Sequence, residues 1–142
     1  MDGDKAVAAT SPFIVSGSCL CGAVQYSAEA PPRSVHYCHC SMCRRTTGSA
    51  FAVLAWWERD QLKWSGKLRV YRSSPIAERG FCPHCGSPMV LAYDGQSEIA
   101  VHAGTLSNPN VFPPTYHYGS EARLAWADCA MALPAKETRE RF

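Results

Sequence analysis

Apolar positions along this chain fall in short runs separated by turn-forming residues, a pattern that predicts strands rather than helices. Between Gly17 and Glu29, Val24, Tyr26 and Ala28 share one face while Ala23, Gln25 and Ser27 share the other, which reads as one strand ended by Pro31-Pro32. Val35-His36-Tyr37 reads as a short strand, and Phe51 to Trp57 as a longer one rich in valine and aromatics. Leu62-Lys63-Trp64 and Leu68 to Tyr71 flank Ser65-Gly66 and are expected to form a hairpin; Met89 to Tyr93 and Glu98 to His102 flank Asp94-Gly95, a stronger signal of the same kind. Tyr116 to Tyr118 reads as a last short strand. Arg44 to Gly48 is expected to make a helical turn stopped by Gly48, and Arg123 to Met131 fits either period. Many short strands with turns between them predict an all-β fold.

The chain has 142 residues, the size of one domain. Residues 1–12 are small and polar without a period and are expected to be a disordered tail. The domain is expected over 13–133, followed by a charged tail over 134–142. With 14 basic and 12 acidic residues, charge is too balanced to predict nucleic-acid binding, and no apolar run is long enough to cross a membrane. Met1 to Phe13 carries Asp2 and Asp4 and lacks an apolar h-region, so the expected location is the cytoplasm.

The chemistry is concentrated in cysteine. Seven of the eight cysteines lie in three cassettes: Cys19-Leu20-Cys21, Cys38-His39-Cys40-Ser41-Met42-Cys43 and Cys82-Pro83-His84-Cys85. Four disulfides, or a redox pair at Cys82–Cys85, are one reading. A cytosolic chain argues against it, and a C-x-C spacing pairs poorly with itself but chelates one ion well. Zinc takes four ligands. The two-thiol cassettes Cys19/Cys21 and Cys82/Cys85 sum to four and predict a closed structural site, with Gly86 free to take the conformation the turn needs. The lone Cys129 reads as a small buried hydrophobe.

Cys38, Cys40 and Cys43 supply three ligands. Either a histidine (His36, His39, His84 or His117) closes a second structural site, or the fourth position stays open to water or substrate, the arrangement of a catalytic zinc. Zinc held by three thiolates can bind and deprotonate an incoming thiol, which suits chemistry at sulfur or at a carbonyl. No Asp or Glu occurs from Ala30 to Trp57, while Arg33, Arg44 and Arg45 lie near the triplet in sequence. Arg44 and Arg45 are expected either to neutralise the zinc–thiolate cluster or to receive a substrate carboxylate. His102 is expected in or beside a strand without a metal role, and Trp56, Trp57, Trp64 and Trp126 are read as core.

The ordered series Gly17-Ser18-Cys19-Leu20-Cys21-Gly22, Cys38-His39-Cys40-Ser41-Met42-Cys43-Arg44-Arg45 and Phe81-Cys82-Pro83-His84-Cys85-Gly86 resembles the glutathione-dependent formaldehyde-activating enzyme and centromere protein V family. Gly48-Ser49, Gly104-Thr105-Leu106 and the Pro114, His117, Trp126 ending are similar too, so the resemblance runs from Gly17 to Trp126. It implies a β-tent fold of antiparallel sheets pinned by a Cys₄ zinc at Cys19, Cys21, Cys82 and Cys85. It also implies a second, catalytic zinc at Cys38, Cys40 and Cys43. The family's named activity joins glutathione and formaldehyde into S-hydroxymethylglutathione, a carbon–sulfur lyase reaction in reverse. The expected partners are therefore a small thiol and an aldehyde, with His36 or His39 as proton carrier. The contrasting reading is a zinc-stabilised scaffold module, as centromere protein V suggests; the absence of a basic extension leans against chromatin or microtubule partners.

Overall fold

The computed structural model describes residues 14–140, and the expected N-terminal tail lies outside them. Among the described residues ten strands form two sheets: β1 (Val15–Ser18), β2 (Gln25–Ala28), β3 (Ser34–Cys38), β4 (Ala52–Glu58), β5 (Leu62–Ser65), β6 (Arg69–Ser74), β7 (Ala77–Phe81), β8 (Pro88–Tyr93), β9 (Glu98–His102) and β10 (His117–Tyr118). The smaller sheet has the order β1-β2-β5 and the larger β10-β3-β4-β9-β8-β7-β6. All pairings are antiparallel except β10 with β3. The one α-helix among the described residues, α1 (Ser41–Thr47), ends at Gly48, whose φ of 65° is the left-handed cap expected there. The chain is all-β, and no helix of the described residues is long and apolar enough to cross a membrane.

Strand alternation divides the larger sheet into two working faces. One face presents Val35, Ala55, Trp57, Ile99, Val101 and Val90 to the smaller sheet, whose Val15, Tyr26, Ala28 and Leu62 complete the main core. The opposite face carries Cys38, Ala52, Leu54, Ala77, Leu91 and Ala100, with Trp56 and Tyr93 packed alongside. Register explains this second set: Cys38 pairs with Ala52, and Ser34, Trp56, Ala100, Leu91 and Arg79 lie in one row across β3, β4, β9, β8 and β7.

Three sequence expectations change. The strand read from Gly17 to Glu29 is two strands, β1 and β2, folded back on each other by the turn that contains Cys19 and Cys21. Side-chain alternation continued across that turn and hid it. The Ser65-Gly66 turn exists, with Gly66 at φ 86°, but it does not close a hairpin. β5 pairs with β2 and β6 with β7, so the chain changes sheets there. Arg123 to Met131 is neither long helix nor strand; 3-10 turns cover Ser120–Ala122 and Ala127–Ala132. The Asp94-Gly95 hairpin joins β8 to β9 as expected. Residues 134–140 are exposed and without regular structure. The side chain of Cys129 lies outside the described residues.

Of the tryptophans, Trp57 is fully buried and Trp64 packs on the main core, as expected. Trp126 is 64% exposed, and Trp56 belongs to the second face.

Gly17 sits opposite Tyr26, whose ring lies over the glycine and whose hydroxyl hydrogen-bonds Thr105 Oγ1 at 2.7 Å. A methyl group at position 17 would overlap the phenol end of a ring that is itself tightly packed. Gly17→Ala is therefore expected to lower unfolding free energy by about 1–3 kcal/mol, read by chemical denaturation of the metal-loaded protein, whereas Gly104→Ala, with open space around it, should cost less.

Candidate metal centre

Two turns converge at one end of the sheets. The β1–β2 turn carries Cys19 and Cys21 from the smaller sheet, and the β7–β8 turn carries Cys82 and Cys85 from the larger. The four sulfurs all lie within 4.8 Å of one another. Cys19 Sγ is 3.7 Å from Cys21 Sγ, which is 3.8 Å from Cys82 Sγ. A disulfide needs about 2.05 Å. A tetrahedron of sulfurs around zinc at about 2.3 Å has edges of about 3.8 Å. The donor set therefore fits zinc and does not describe disulfides. Backbone N–H groups of Val24 and His84 donate to Cys19 and Cys82 at 3.3 and 3.4 Å, and Ser87 Oγ ties both turns by accepting from Leu20 N–H and contacting Cys85 Sγ.

The second cluster is Cys38, Cys40 and Cys43, again with sulfurs within 4.8 Å. Cys38 ends β3, Cys40 caps α1 and Cys43 lies in its first turn. Cys38 and Cys40 sulfurs are 3.6 Å apart, and Cys43 N–H donates to Cys40 Sγ at 3.4 Å. Among the described residues no histidine or carboxylate joins this group. His84 is exposed on the other cluster's turn. His39 is buried against His117, their ring nitrogens 2.8 Å apart, and contacts Phe51 and Tyr37.

Crowded thiols cannot all ionise without a cation. In the first cluster, hydrogen bonds from Ser87 hold the Cys85 thiol down to about 5. The Ala23 amide lowers Cys21, yet burial and the neighbouring sulfurs push it up to about 11. In the second, Cys43 falls to about 5, first through its hydrogen bond with Cys38 and then through Arg79, and the same contact drives Cys38 upward. One sulfur takes the negative charge at its neighbours' expense. A divalent cation removes that conflict, which is the electrostatic case for metal at both clusters.

The triplet opens onto a cavity of about 590 Å³ on the second face of the large sheet, walled by Leu54, Trp56, Leu91 and Tyr93. Arg79, 8% exposed, lies beneath it: Nη1 donates to Cys43 Sγ at 3.7 Å and Nε to Ser73 Oγ at 3.2 Å. Among the described residues, Arg79 is the cation that donates to these thiols. Arg44 and Arg45 line a separate depression with Gly48, Ser49, Ala50, Leu124 and Trp126. They follow Cys43 on helix α1, which turns successive side chains onto different faces. The signal for Arg79 was an arginine on an inward position of a strand that runs into Cys82, a place where an unpaired charge is rare.

His36 lines the cavity but has no free nitrogen. Trp56 Nε1–H donates to His36 Nε2 at 2.9 Å, and His36 Nδ1 is 3.0 Å from the Tyr37 carbonyl, to which it donates. Neither His36 nor the enclosed His39 is placed to carry a proton for chemistry in the cavity. His102 stands on β9 opposite Leu54, outside both clusters.

The fold and site define a two-sheet β protein with two cysteine clusters that could each hold a metal ion, one of four sulfurs and one of three under an open cavity. The chain belongs to the glutathione-dependent formaldehyde-activating enzyme family, whose model matches residues 14–121. It is 31% identical over 88 residues to an uncharacterized lyase of Schizosaccharomyces pombe, covering 61% of this chain and 64% of that protein. It is 34% identical over 129 residues to a Halomonas elongata protein named provisionally as a glutathione-dependent formaldehyde-activating enzyme, covering 82% and 81%. A crystal structure of a Rhodobacter sphaeroides protein superposes with a TM-score of 0.55 at 24% identity, covering 72% of this chain and 98% of that one, which shows the shared fold.

Arg79→Met is expected to weaken zinc binding at the triplet by about 10–100-fold and leave the four-cysteine cluster unchanged, measured by competition with a chromophoric chelator. A second expectation concerns acid stability. Burial, with the Arg79 charge nearby, pulls His102 down from 6.5 to about 4. Between those values the unfolded chain takes up a proton that the folded one does not, so stability is full above the higher value and is lost as pH falls toward the lower. Between pH 7 and about 5.5, His102→Gln should lose about 1 kcal/mol less unfolding free energy than the parent, read from paired denaturation curves.

Proposed function

We propose that this protein is a zinc-dependent enzyme of carbon–sulfur lyase type acting on thiol–aldehyde adducts, with S-hydroxymethylglutathione formation from glutathione and formaldehyde as the family's named case. The observation that carries the reading is the convergence of three cysteine sulfurs, with no other donor among the described residues, on the floor of an open cavity. The names of the two curated relatives, a lyase and a formaldehyde-activating enzyme, point the same way.

In this reading Cys19, Cys21, Cys82 and Cys85 hold a structural zinc, and Cys38, Cys40 and Cys43 hold a second. A zinc ion held by the triplet would supply the Lewis acidity that favours the thiolate form of an incoming thiol. Arg79 donates to Cys43 Sγ, orients it and offsets the negative charge of the thiolates. Leu54, Leu91 and Trp56 shield the reacting atoms from bulk water. Sulfur adds to the aldehyde carbon, the carbonyl π pair moves to oxygen, and the proton released by the thiol ends on that oxygen. Tyr93, raised above its ordinary value first by burial and then by the charges of Tyr118 and the thiols, keeps its own proton and hydrogen-bonds the oxygen as charge develops. Free thiols in such numbers suit a reducing compartment, the cytoplasm.

The uncatalysed reaction is fast, so the test is exchange. NMR exchange spectroscopy between glutathione and its hydroxymethyl adduct should show acceleration by the zinc-loaded protein. Cys43→Ser should return exchange to the uncatalysed rate while circular dichroism and the zinc of the four-cysteine cluster are retained. No acceleration with any small thiol–aldehyde pair would remove the catalytic reading and leave a zinc-stabilised binding module.

A further inference from the structure

Addition of a thiol to an aldehyde does not by itself require an aromatic surface, yet one side of the cavity is built of rings. Tyr93, Trp56, His36 and Tyr116 follow one another with nearly parallel planes. Their successive centroids are 6.2, 6.4 and 4.8 Å apart, with interplanar angles of 6°, 11° and 17°. Tyr118 meets His36 edge-on at 5.8 Å. Strand register places the central members: Trp56 lies in the row of Ser34 and Ala100, and the small Ala100 leaves room between Trp56 and β8. The Trp56–His36 hydrogen bond fixes both rings. Tyr116 and Tyr118 remain 46% and 59% exposed, so the outer end of the series is uncovered.

The charges around the same cavity are already committed. Arg33 pairs with Glu98 at 2.5 Å, and Asp94 is held by Arg72. Arg79 is turned to Cys43 and Ser73. Among the described residues lining the cavity, a substrate carboxylate finds no arginine that is not already engaged. A neutral flat group, in contrast, meets stacked rings and the side chains of Leu54 and Leu91. His36 precedes Cys38 by two residues on the same face of β3, a strand distance of roughly 7 Å. A ring attached close to a sulfur held at the triplet therefore reaches the aromatic side.

Resting on the thiol reading above, we propose that this cavity selects a thiol whose body is a neutral planar ring one or two bonds from sulfur, an arylmethanethiol or its thiohemiacetal, in preference to a charged peptide thiol. The sulfur end is read by an ion that the three cysteines would hold, and the ring by Trp56, His36 and Tyr116.

The test is direct binding to the zinc-loaded protein by titration calorimetry, with tryptophan fluorescence as a second signal. The probes are phenylmethanethiol, 2-mercaptoethanol, glutathione and thiocholine. Phenylmethanethiol should bind at least about tenfold more tightly than 2-mercaptoethanol and glutathione. Trp56→Ala should remove most of that ratio, lowering phenylmethanethiol affinity well beyond any change in 2-mercaptoethanol affinity. Tyr116→Ala, at a half-exposed position, should reduce it in the same sense. Equal or tighter binding of glutathione, preference for the cationic thiocholine, or a ratio unchanged in both variants would overturn the inference. Accelerated glutathione exchange without aryl preference would leave the catalytic reading standing alone. Aryl preference without catalysis would do the reverse.

Discussion

Sulfur atoms held 3.6–3.8 Å apart are too far for a disulfide and too close to ionise together, and this constraint organises the molecule. One divalent ion at each cluster would relieve it. At the four-cysteine cluster the consequence is architectural. Two turns from different sheets meet there, so whatever binds the sulfurs also clamps the small sheet onto the large one. Structural zinc can contribute on the order of 10–16 kcal/mol of apparent binding energy, as large as the whole stability of a typical domain at about 5–15 kcal/mol. For a chain whose core is shared between a three-stranded and a seven-stranded sheet, such a clamp would be a principal contribution rather than an addition.

The large sheet serves both ends of this design because its side chains alternate. One face closes the core and the other supplies the floor of the cavity. β7 links the two clusters: it runs directly into Cys82, and Arg79 within it reaches across to Cys43. Positioning the β7–β8 turn thus also positions the guanidinium that donates to Cys43. A charge buried in a strand is tolerated because it meets a thiol able to carry the opposite charge and a serine hydroxyl, so neither its charge nor its donors are stranded.

The cysteine cassettes, the Asp94-Gly95 hairpin, the Gly48 helix stop and most strand positions were legible from the chain alone. Each depends on residues within a few positions of one another. A C-x-C or C-x-x-C turn brings its own sulfurs together whatever the rest does, and ligand arithmetic then suggests which turns combine. Where local pattern ran across a reversal, as at Cys19 to Val24, alternation gave one strand in place of two. Where a turn was real but its strands belonged to different sheets, as at Gly66, hairpin logic failed.

The sequence by itself determined the chemistry available, seven cysteines in three cassettes, and the period that makes sheets. Only the tertiary structure decided which side chains meet that chemistry. It brought Arg79 to Cys43 in place of the adjacent Arg44 and Arg45, tied both nitrogens of His36, and lined Tyr93, Trp56 and Tyr116 along one side of the cavity. The physical reason is that spacing along a chain governs contacts within a turn. Contacts between strands are set by sheet order and register, which arise when distant segments compete for the same partners.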